Sequence, residues 1–225
     1  MRSDWEDLDS RIPEELRELA RKSKPRRVRL CLDLLDRRLK GITVIGEAIH
    51  RRHNVSAILR SAEAFGIHEA HLVTNDFKPS VGAAKGAERW LELVFHDTTA
   101  DCFAALRERG HRIWIGDLGE GAVPPSEVPV DRPIALLFGS ELSGVSPEAR
   151  EAADGIVQVP MRGVTQSLNV SVAAALTLHT VCERRRAQPG AVGIEGEART
   201  RFLRRFLERE RSRRRATTAL WGGSE

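Results

Sequence analysis

The central part of the chain alternates apolar stretches of strand length with amphipathic stretches of helical period. Residues 41–49, GITVIGEAI, have the pattern of a buried strand. Residues 54–66 have a helical pattern, which Asn54 is expected to cap and Gly66 to end. The alternation continues with strands at 69–74, 91–96, 111–118, 133–139 and 155–161, and with helices at 83–90, 99–110, 146–151 and from 170 onward.

This alternation predicts an α/β fold. Strands that alternate with helices over short connections form a parallel sheet, which the helices cover on both faces. The stretch 133–139, PIALLFG, has no polar side chain, as expected for a strand that is buried on both sides.

The two ends of the chain are predicted to be helical and basic. Residues 12–40 carry leucines at helical spacing, and Pro25 is expected to divide them into two helices. Residues 187–198 contain Pro and Gly and read as a linker, residues 199–215 as a basic helix, and the final WGGSE as a frayed end. We therefore expect three parts: a basic helical extension at 1–40, an α/β domain at 41–186, and a linker with a basic helix at 187–225.

The positive charge lies mainly near the ends, although the net charge is only +4. Such a distribution favours a polyanion partner, with nucleic acid first, whereas Arg–Glu pairs on a solvated helix are the alternative, especially for 201–215. The candidate RNA-binding residues lie in the N-terminal extension and just before the predicted helix 54–66. They are Lys22, Lys24, Arg26, Arg27, Arg29, Arg51 and Arg52.

Cysteine and histidine spacing predicts neither a disulfide framework nor a metal site. Cys31, Cys102 and Cys182 are far apart, and no CxxC is present. His68 and His71 are interpreted as polar residues around a short strand rather than as a metal pair. No apolar run reaches membrane-spanning length and the N-terminus has no signal-peptide pattern, so we expect a cytoplasmic protein without a membrane partner.

Glycine-rich and polar segments follow three of the predicted strands: GDLGEG, FGSELSG and PMRGVTQSLN. They are expected to converge, because ligands of parallel sheets bind at the carboxyl ends of the strands. Glu141 directly follows a buried strand, so it is either paired or exposed on a turn. Ser167 and Asn169 precede an apolar helix, where one cap would suffice, and the surplus of polar residues favours a binding site.

Arg60 lies six residues after Asn54 on the predicted helix 54–66. An arginine can hold a phosphate with two parallel hydrogen bonds and stays charged at neutral pH. The alternative is one more surface arginine in an arginine-rich chain, and on local pattern alone that alternative is favoured.

Three segments together resemble the motifs of the SpoU/TrmH branch of the SPOUT RNA 2′-O-ribose methyltransferases. They are EAIHRRHNVSAILRSAEAFGIHEAHLV, LLFGSELSGVSPEA and VPMRGVTQSLNVSVAAAL, in the order of the family, and the resemblance covers about residues 41–182. It implies a parallel sheet with a C-terminal trefoil knot, S-adenosylmethionine as the cofactor, and a homodimer whose knot helices pack together.

The resemblance also implies roles for single residues. Arg60 matches the arginine thought to activate the ribose hydroxyl, Asn54 supports it, Glu141 matches the acid of the second motif, and Ser167 and Asn169 match the polar pair of the third. Cofactor contacts, largely through backbone, map onto Gly116, Gly139, Val159 and Leu168. In relatives the position of Gly116 can carry Thr.

The function that the resemblance implies is methyl transfer to a ribose 2′-hydroxyl of tRNA, with guanosine 18 of the D-loop as the expected nucleotide. The alternatives are a methyltransferase acting on ribosomal RNA or on another tRNA position, and, more remotely, a non-catalytic RNA-binding module. The segment before the first strand is too short for the extra N-terminal RNA-binding domain that the ribosomal RNA enzymes often carry.

Overall fold

The computed structural model describes residues 4–73 and 86–221 of the chain. The chain forms two compact units: residues 39–192 form one, and the other combines the two ends, up to Arg38 and from Gly193. The helices are α1 (Asp4–Asp9), α2 (Glu14–Arg21), α3 (Pro25–Arg37), α4 (Arg52–Ala64), α5 (Thr99–Glu108), α6 (Pro147–Ala152), α7 (Val170–Arg186) and α8 (Gly196–Trp221), and the strands are β1 (Ile42–Glu47), β2 (Glu69–Val73), β3 (Glu92–His96), β4 (Arg112–Gly116), β5 (Ile134–Phe138) and β6 (Gly155–Val157).

The six strands form one sheet in the order β3-β2-β1-β5-β4-β6, and every neighbouring pair is parallel. The parallel sheet that the sequence predicts is therefore confirmed. From β1 the chain adds β2 and β3 on one side, whereas β5, β4 and β6 lie on the other side. A ligand site is expected at the carboxyl ends of the strands where this order reverses, between β1 and β5.

Alternate residues of the strands serve two separate cores. Val44 and Leu136 point into a core that includes buried residues of α4 and α7, whereas Ile45 and Leu137 point into one that includes residues of α5 and α6. Because successive side chains of a strand point to opposite faces, a strand that is covered on both sides must be apolar throughout, as β5 is.

The ends of α4 test two predictions on capping. Gly66 ends the helix as predicted, in the left-handed conformation with φ of 87°. The prediction that Asn54 caps the helix is wrong, because the helix begins two residues earlier, at Arg52. Asn54 lies instead in the first turn, where its side chain is buried.

Other element boundaries also differ from the predicted ones. The residues predicted as a helix at 83–90 include a short 3₁₀ turn at Ala87–Arg89, and residues 83–85 lie outside the described part of the chain. The last strand is shorter than 155–161, and the last helix begins at Gly196 rather than at 199. The predicted frayed end falls mostly on 222–225, outside the described residues.

The unit formed by the two chain ends is held together by apolar packing and by ion pairs between distant segments. Leu16, Leu32 and Leu203 are fully buried in it. Arg27 of α3 donates to both carboxylate oxygens of Glu210 in α8, at 3.1 and 2.8 Å. Bidentate pairs of this kind are specific in geometry, so this pair fixes the register of two helices far apart in the sequence.

None of the helices in the described ranges combines the length and the apolar character that crossing a membrane requires.

The acid stability of the fold should depend on His111, just before β4. Burial, with the nearby Arg109 charge, lowers the pKa of His111 to about 4. Above pH 6.5 the imidazole is neutral in both the folded and the unfolded chain. Between pH 6.5 and 4 the unfolded chain takes up the proton and the folded chain does not, so the free energy of unfolding falls as the pH falls.

We therefore expect His111→Gln to make the free energy of unfolding less dependent on pH between 6.5 and 4, measured by urea titration at a series of pH values. His53→Gln, at an exposed position, is the control. Equal pH dependence in wild type and His111→Gln would contradict this assignment.

Candidate active site

A cavity of about 480 Å³ opens at the carboxyl ends of β4, β5 and β6. The turns that follow these three strands meet there, as the sequence predicts. All four residues assigned to the cofactor line the cavity: Gly116, Gly139, Val159 and Leu168. Its volume is in the range of pockets that enclose small molecules.

The turn after β5 depends on Gly139. The backbone of Ser140 and that of Gly144 exchange two hydrogen bonds of 2.9 Å, which folds the turn back on itself. A Cβ on Gly139 would lie 2.3 Å from the carbonyl oxygen of Gly144, so no other residue fits this position without moving backbone. The glycine thus keeps backbone groups at the wall of the cavity.

Gly116 has a similar steric role at the end of β4. A Cβ there would come within 2.7 Å of the Phe138 ring, which also lines the cavity. The space that a side chain would need is therefore occupied by the aromatic ring, which gives the cavity an apolar surface at this position.

Three polar residues from separate motifs are joined by hydrogen bonds beside the cavity. Asn54 of α4 donates its amide to Oε1 of Glu141 at 2.5 Å. Asn169 directs its amide at Oδ1 of Asn54, with a longer separation of 3.4 Å. Glu141 and Asn169 line the cavity itself, and Asn54 is buried behind them.

Asn169 both caps a helix and takes part in this group. Its Oδ1 accepts from the backbone N–H of Ser171 at 2.9 Å, which caps α7, while its Nδ2 faces Asn54. The capping and binding-site interpretations of the segment are therefore compatible. Ser167, which the sequence also assigned to the site, is exposed and lines the cavity.

The surface of the cavity suits a ligand with both an aromatic and a polar part. Phe138, Val157 and Ala173 supply apolar surface, and Oε2 of Glu141 is buried without a hydrogen-bond partner among the described residues. A buried carboxylate oxygen needs a donor or a cation, which a ligand that carries positive charge can supply. These residues fit S-adenosylmethionine, which has an adenine ring and cationic groups.

Arg60 lies away from the cavity of its own chain. It is exposed and is not among the residues that line the cavity. Six residues of α-helix turn its side chain by about 240° from that of Asn54, so the two leave different faces of α4. Arg51, which the sequence assigned to RNA, lines the cavity instead, and nothing in the spacing of the motif distinguishes it from its neighbour Arg52.

The other predicted RNA-binding residues differ in their exposure and in whether they form ion pairs within the protein. Lys24 and Arg26 are exposed, and Lys22 pairs with Glu18 on the same helix surface. Nη2 of Arg29 lies 3.9 Å from Oδ2 of Asp7. Arg27 is also predicted to bind RNA, but its guanidinium donates to the carboxylate of Glu210.

The comparison with protein families identifies the chain. The model described as the SpoU rRNA methylase family matches residues 41–179. A protein of Escherichia coli strain K12 named tRNA (guanosine(18)-2′-O)-methyltransferase is 40% identical over 167 residues, which are 73% of this chain and 72% of that protein.

Solved structures agree with this match. The crystal structure titled A. aeolicus TrmH/SpoU tRNA modifying enzyme aligns with a TM-score of 0.74 and 30% identity, over 82% of this chain and 96% of that one. The SpoU methyltransferase AviRb from Streptomyces viridochromogenes, crystallised with the cofactor AdoMet, shares the fold with a TM-score of 0.61 and 24% identity, over 70% of this chain and 65% of that one. With its parallel sheet and the three motifs gathered at one cavity, the chain belongs to the SpoU rRNA methylase family.

Proposed function

We propose that this protein transfers a methyl group from S-adenosylmethionine to the 2′-hydroxyl of a ribose in tRNA, at guanosine 18. The observation that carries the proposal is the group of Asn54, Glu141 and Asn169, which joins the three motifs at the edge of the cavity. The names of the E. coli and A. aeolicus relatives support tRNA as the substrate.

The cavity residues hold the cofactor in this proposal. The backbone at Gly116, Gly139, Val159 and Leu168 would hold the cofactor, and Oε2 of Glu141 would be available to its cationic groups. S-adenosylmethionine supplies, when bound, a methyl group that is activated by a positively charged sulfur. The protein contributes orientation, since a rigid cavity that fixes the reacting groups in line removes much of the entropic barrier.

The step that needs help from side chains is the loss of the proton from the ribose hydroxyl. Arg60 is a poor base, because a guanidinium stays protonated at neutral pH. We assign it the role of binding an RNA phosphate beside the hydroxyl. An oxygen of this phosphate accepts the proton. Ser167, which is exposed at the cavity, is assigned to positioning the ribose, and the buried Asn54 is assigned to a supporting role behind Glu141 and Asn169.

The position of Arg60 outside its own cavity favours a homodimer in which the arginine of a second copy completes the site. Helix α7 supports such a contact, because Val172 and Leu176 on it are 46% and 47% exposed. Exposed apolar residues on a helix rich in alanine suit the close packing of two copies. The trefoil knot, like the dimer, stays a prediction from the family.

The exposed cations are assigned to the phosphates of the tRNA. Lys22, Lys24, Arg26 and Arg29 serve this role in the helical unit and Arg51 and Arg52 in the α/β unit, whereas Arg27 is assigned to the stability of the helical unit. Localisation in the cytoplasm follows from a tRNA substrate and stays part of the proposal.

Ribosomal RNA is the second candidate substrate, because the matching family is described by it. Incubation with purified tRNA and with ribosomal RNA, followed by mapping of the methylated ribose, separates the two. Methylation at guanosine 18 of tRNA supports the proposal, and methylation confined to ribosomal RNA overturns it.

Replacement of Arg60 tests the transfer step. Arg60→Ala should lower the rate of methyl transfer by about 10²- to 10³-fold, the cost of removing one hydrogen-bond donor that stabilises charge at a reacting centre. The affinity for S-adenosylmethionine, measured by calorimetry, should be nearly unchanged. Arg132→Ala, at an exposed position, is the control, and an equal loss of affinity and rate in Arg60→Ala would contradict the role.

A mixture of two inactive variants tests whether Arg60 acts across the dimer. Val159→Trp fills the cavity but keeps Arg60, and Arg60→Ala keeps the cavity. Refolded together in equal amounts, they should show about a quarter of the wild-type activity. Half of the dimers are then mixed, and each mixed dimer has one complete site out of two. A mixture as inactive as its components would contradict completion by a second copy.

The same cavity variant tests cofactor binding. Val159→Trp should weaken the binding of S-adenosylmethionine by at least about tenfold, because the indole occupies space that the ligand needs. Val164→Trp is the matched control: it lies in the same segment, is fully exposed and does not line the cavity. Equal affinity in the two variants would place the cofactor elsewhere.

Salt dependence tests the binding of RNA phosphates. The dissociation constant for tRNA should rise steeply with salt, because each bound phosphate releases counterions. Lys24→Ala with Arg26→Ala should reduce the slope of log K against log salt by about one for each phosphate that the variant no longer binds. Arg132→Ala should leave the slope unchanged. A slope close to zero for the wild-type protein would exclude phosphate binding as the source of affinity.

A further inference from the structure

A cluster of metal-ligand side chains lies on the sheet face that α5 covers, apart from the cavity. His71 of β2, His96 of β3 and Cys102 of α5 each offer a ligand atom, and these atoms lie within 4.8 Å of one another. Nδ1 of His71 is 2.8 Å from Nε2 of His96, and the two rings stack with centroids 5.0 Å apart. None of the three residues lines the cavity at the ends of β4, β5 and β6.

The register of the sheet places the two histidines together. His71 is opposite Val94, and His96 is opposite Val73, so both side chains point to the same face. Val73 belongs to the core that contains Cys102, which identifies this face as the one under α5. The cluster is therefore fixed by the backbone of two strands and one helix rather than by a loop.

The surroundings of His71 favour binding through Nδ1. Its other nitrogen, Nε2, lies 2.6 Å from Oε1 of Glu69, and Arg109 donates to the same oxygen at 2.5 Å. An ionised Glu69 holds the proton of His71 on Nε2, which leaves the lone pair of Nδ1 facing the cluster. A carboxylate behind a metal-binding histidine is the common arrangement in protein metal sites, because it fixes the tautomer and raises ligand basicity.

We propose that His71, His96 and Cys102 bind one zinc ion, with a fourth position left for water. Two imidazoles and a thiolate form a donor set that zinc prefers. Binding releases the thiol proton of Cys102 to solvent and moves the proton of His96 to Nδ1, so that Nε2 can bind the ion.

The separations suit an ion after small side-chain rotations. Zinc bonds of about 2.0 Å to nitrogen and 2.3 Å to sulfur require ligand atoms roughly 3.3–3.6 Å apart. The two nitrogens, now 2.8 Å apart, must separate slightly, and the sulfur already lies within 4.8 Å of both. An ion at this site would connect β3, the edge strand of the sheet, to α5, so its effect is on stability and not on the cofactor.

Cobalt spectroscopy on the full-length, untagged protein tests the proposal. The protein, stripped of metal with a chelator, is titrated with Co²⁺, whose thiolate complexes absorb in the near ultraviolet. We expect this band to saturate at one equivalent per chain, to disappear on addition of Zn²⁺, and to accompany a rise in the thermal midpoint with Zn²⁺. Absence of the band at saturating Co²⁺ would overturn the proposal.

Three variants separate this site from adventitious binding. Cys102→Ala should abolish the band, whereas Cys31→Ala, which removes a cysteine equally buried in the helical unit, should keep it. Glu69→Gln should keep the band but weaken Zn²⁺ binding by about 10- to 100-fold, as expected for a group behind a ligand. A band that persists in Cys102→Ala, or one that disappears in Cys31→Ala, would overturn the assignment. Because Glu69→Gln retains the cysteine and the fold around it, it tests the site even where Cys102→Ala unfolds.

Discussion

The candidate active site depends on the buried hydrogen bond between Asn54 and Glu141. Asn54 is 1% exposed, and its amide is the partner of a carboxylate on the turn after β5. Loss of the amide would remove the hydrogen bond of a partly buried carboxylate, and hydrogen bonds to charged groups contribute about 1.5–3 kcal/mol. The bond therefore holds the turn after β5 against the first turn of α4, and Asn169 extends the connection to the start of α7.

Another carboxylate, the buried Glu47, holds the segment that follows this turn. Glu47, at the end of β1, accepts hydrogen bonds from Thr99 at the start of α5 and from the backbone and hydroxyl of Ser146 before α6. Glu141, within the turn 139–144, and Glu47, which binds Ser146 just after it, thus take their donors from different elements. Such connected polar groups fix one arrangement of the backbone, because any other arrangement would leave buried atoms unpaired.

The sheet and the location of the site could be predicted from the sequence, because both depend on local pattern. An apolar strand such as β5 has to be covered on both faces, and the glycines after it are needed where the turn folds back. The role of Asn54 could not be predicted in the same way, since an asparagine near a helix start resembles a cap until its long-range partner, 87 residues away, is known. The sequence also treats the two chain ends as separate segments, whereas the pair of Arg27 and Glu210 joins residues 183 positions apart within one unit.

The histidine and cysteine cluster shows the same limit most clearly. His71 and His96 are 25 residues apart, and no ligand motif has that spacing. Only the register of β2 and β3, together with the face that α5 covers, brings their nitrogens to the same point. The expectation of no metal site, drawn from spacing alone, therefore carries little weight for ligands that sit on neighbouring strands of a sheet.

The charges of the molecule are distributed in a way that separates the two ligands of the proposed reaction. Most of the described side chains that line the cavity are neutral or acidic, with Arg51 as the cation among them, and those of Asn54, Glu141 and Asn169 are bonded to one another. Cations such as Lys24 and Arg60 are exposed, where solvent screens them and an RNA phosphate can reach them. Cofactor binding should then respond to the shape of the cavity and only weakly to salt, while RNA binding responds to salt and hardly to cavity shape. If Arg60 acts at the cavity of a second copy, as proposed, it meets the cofactor only when RNA and that second copy are both bound. Methyl transfer would then be conditional on the assembled complex.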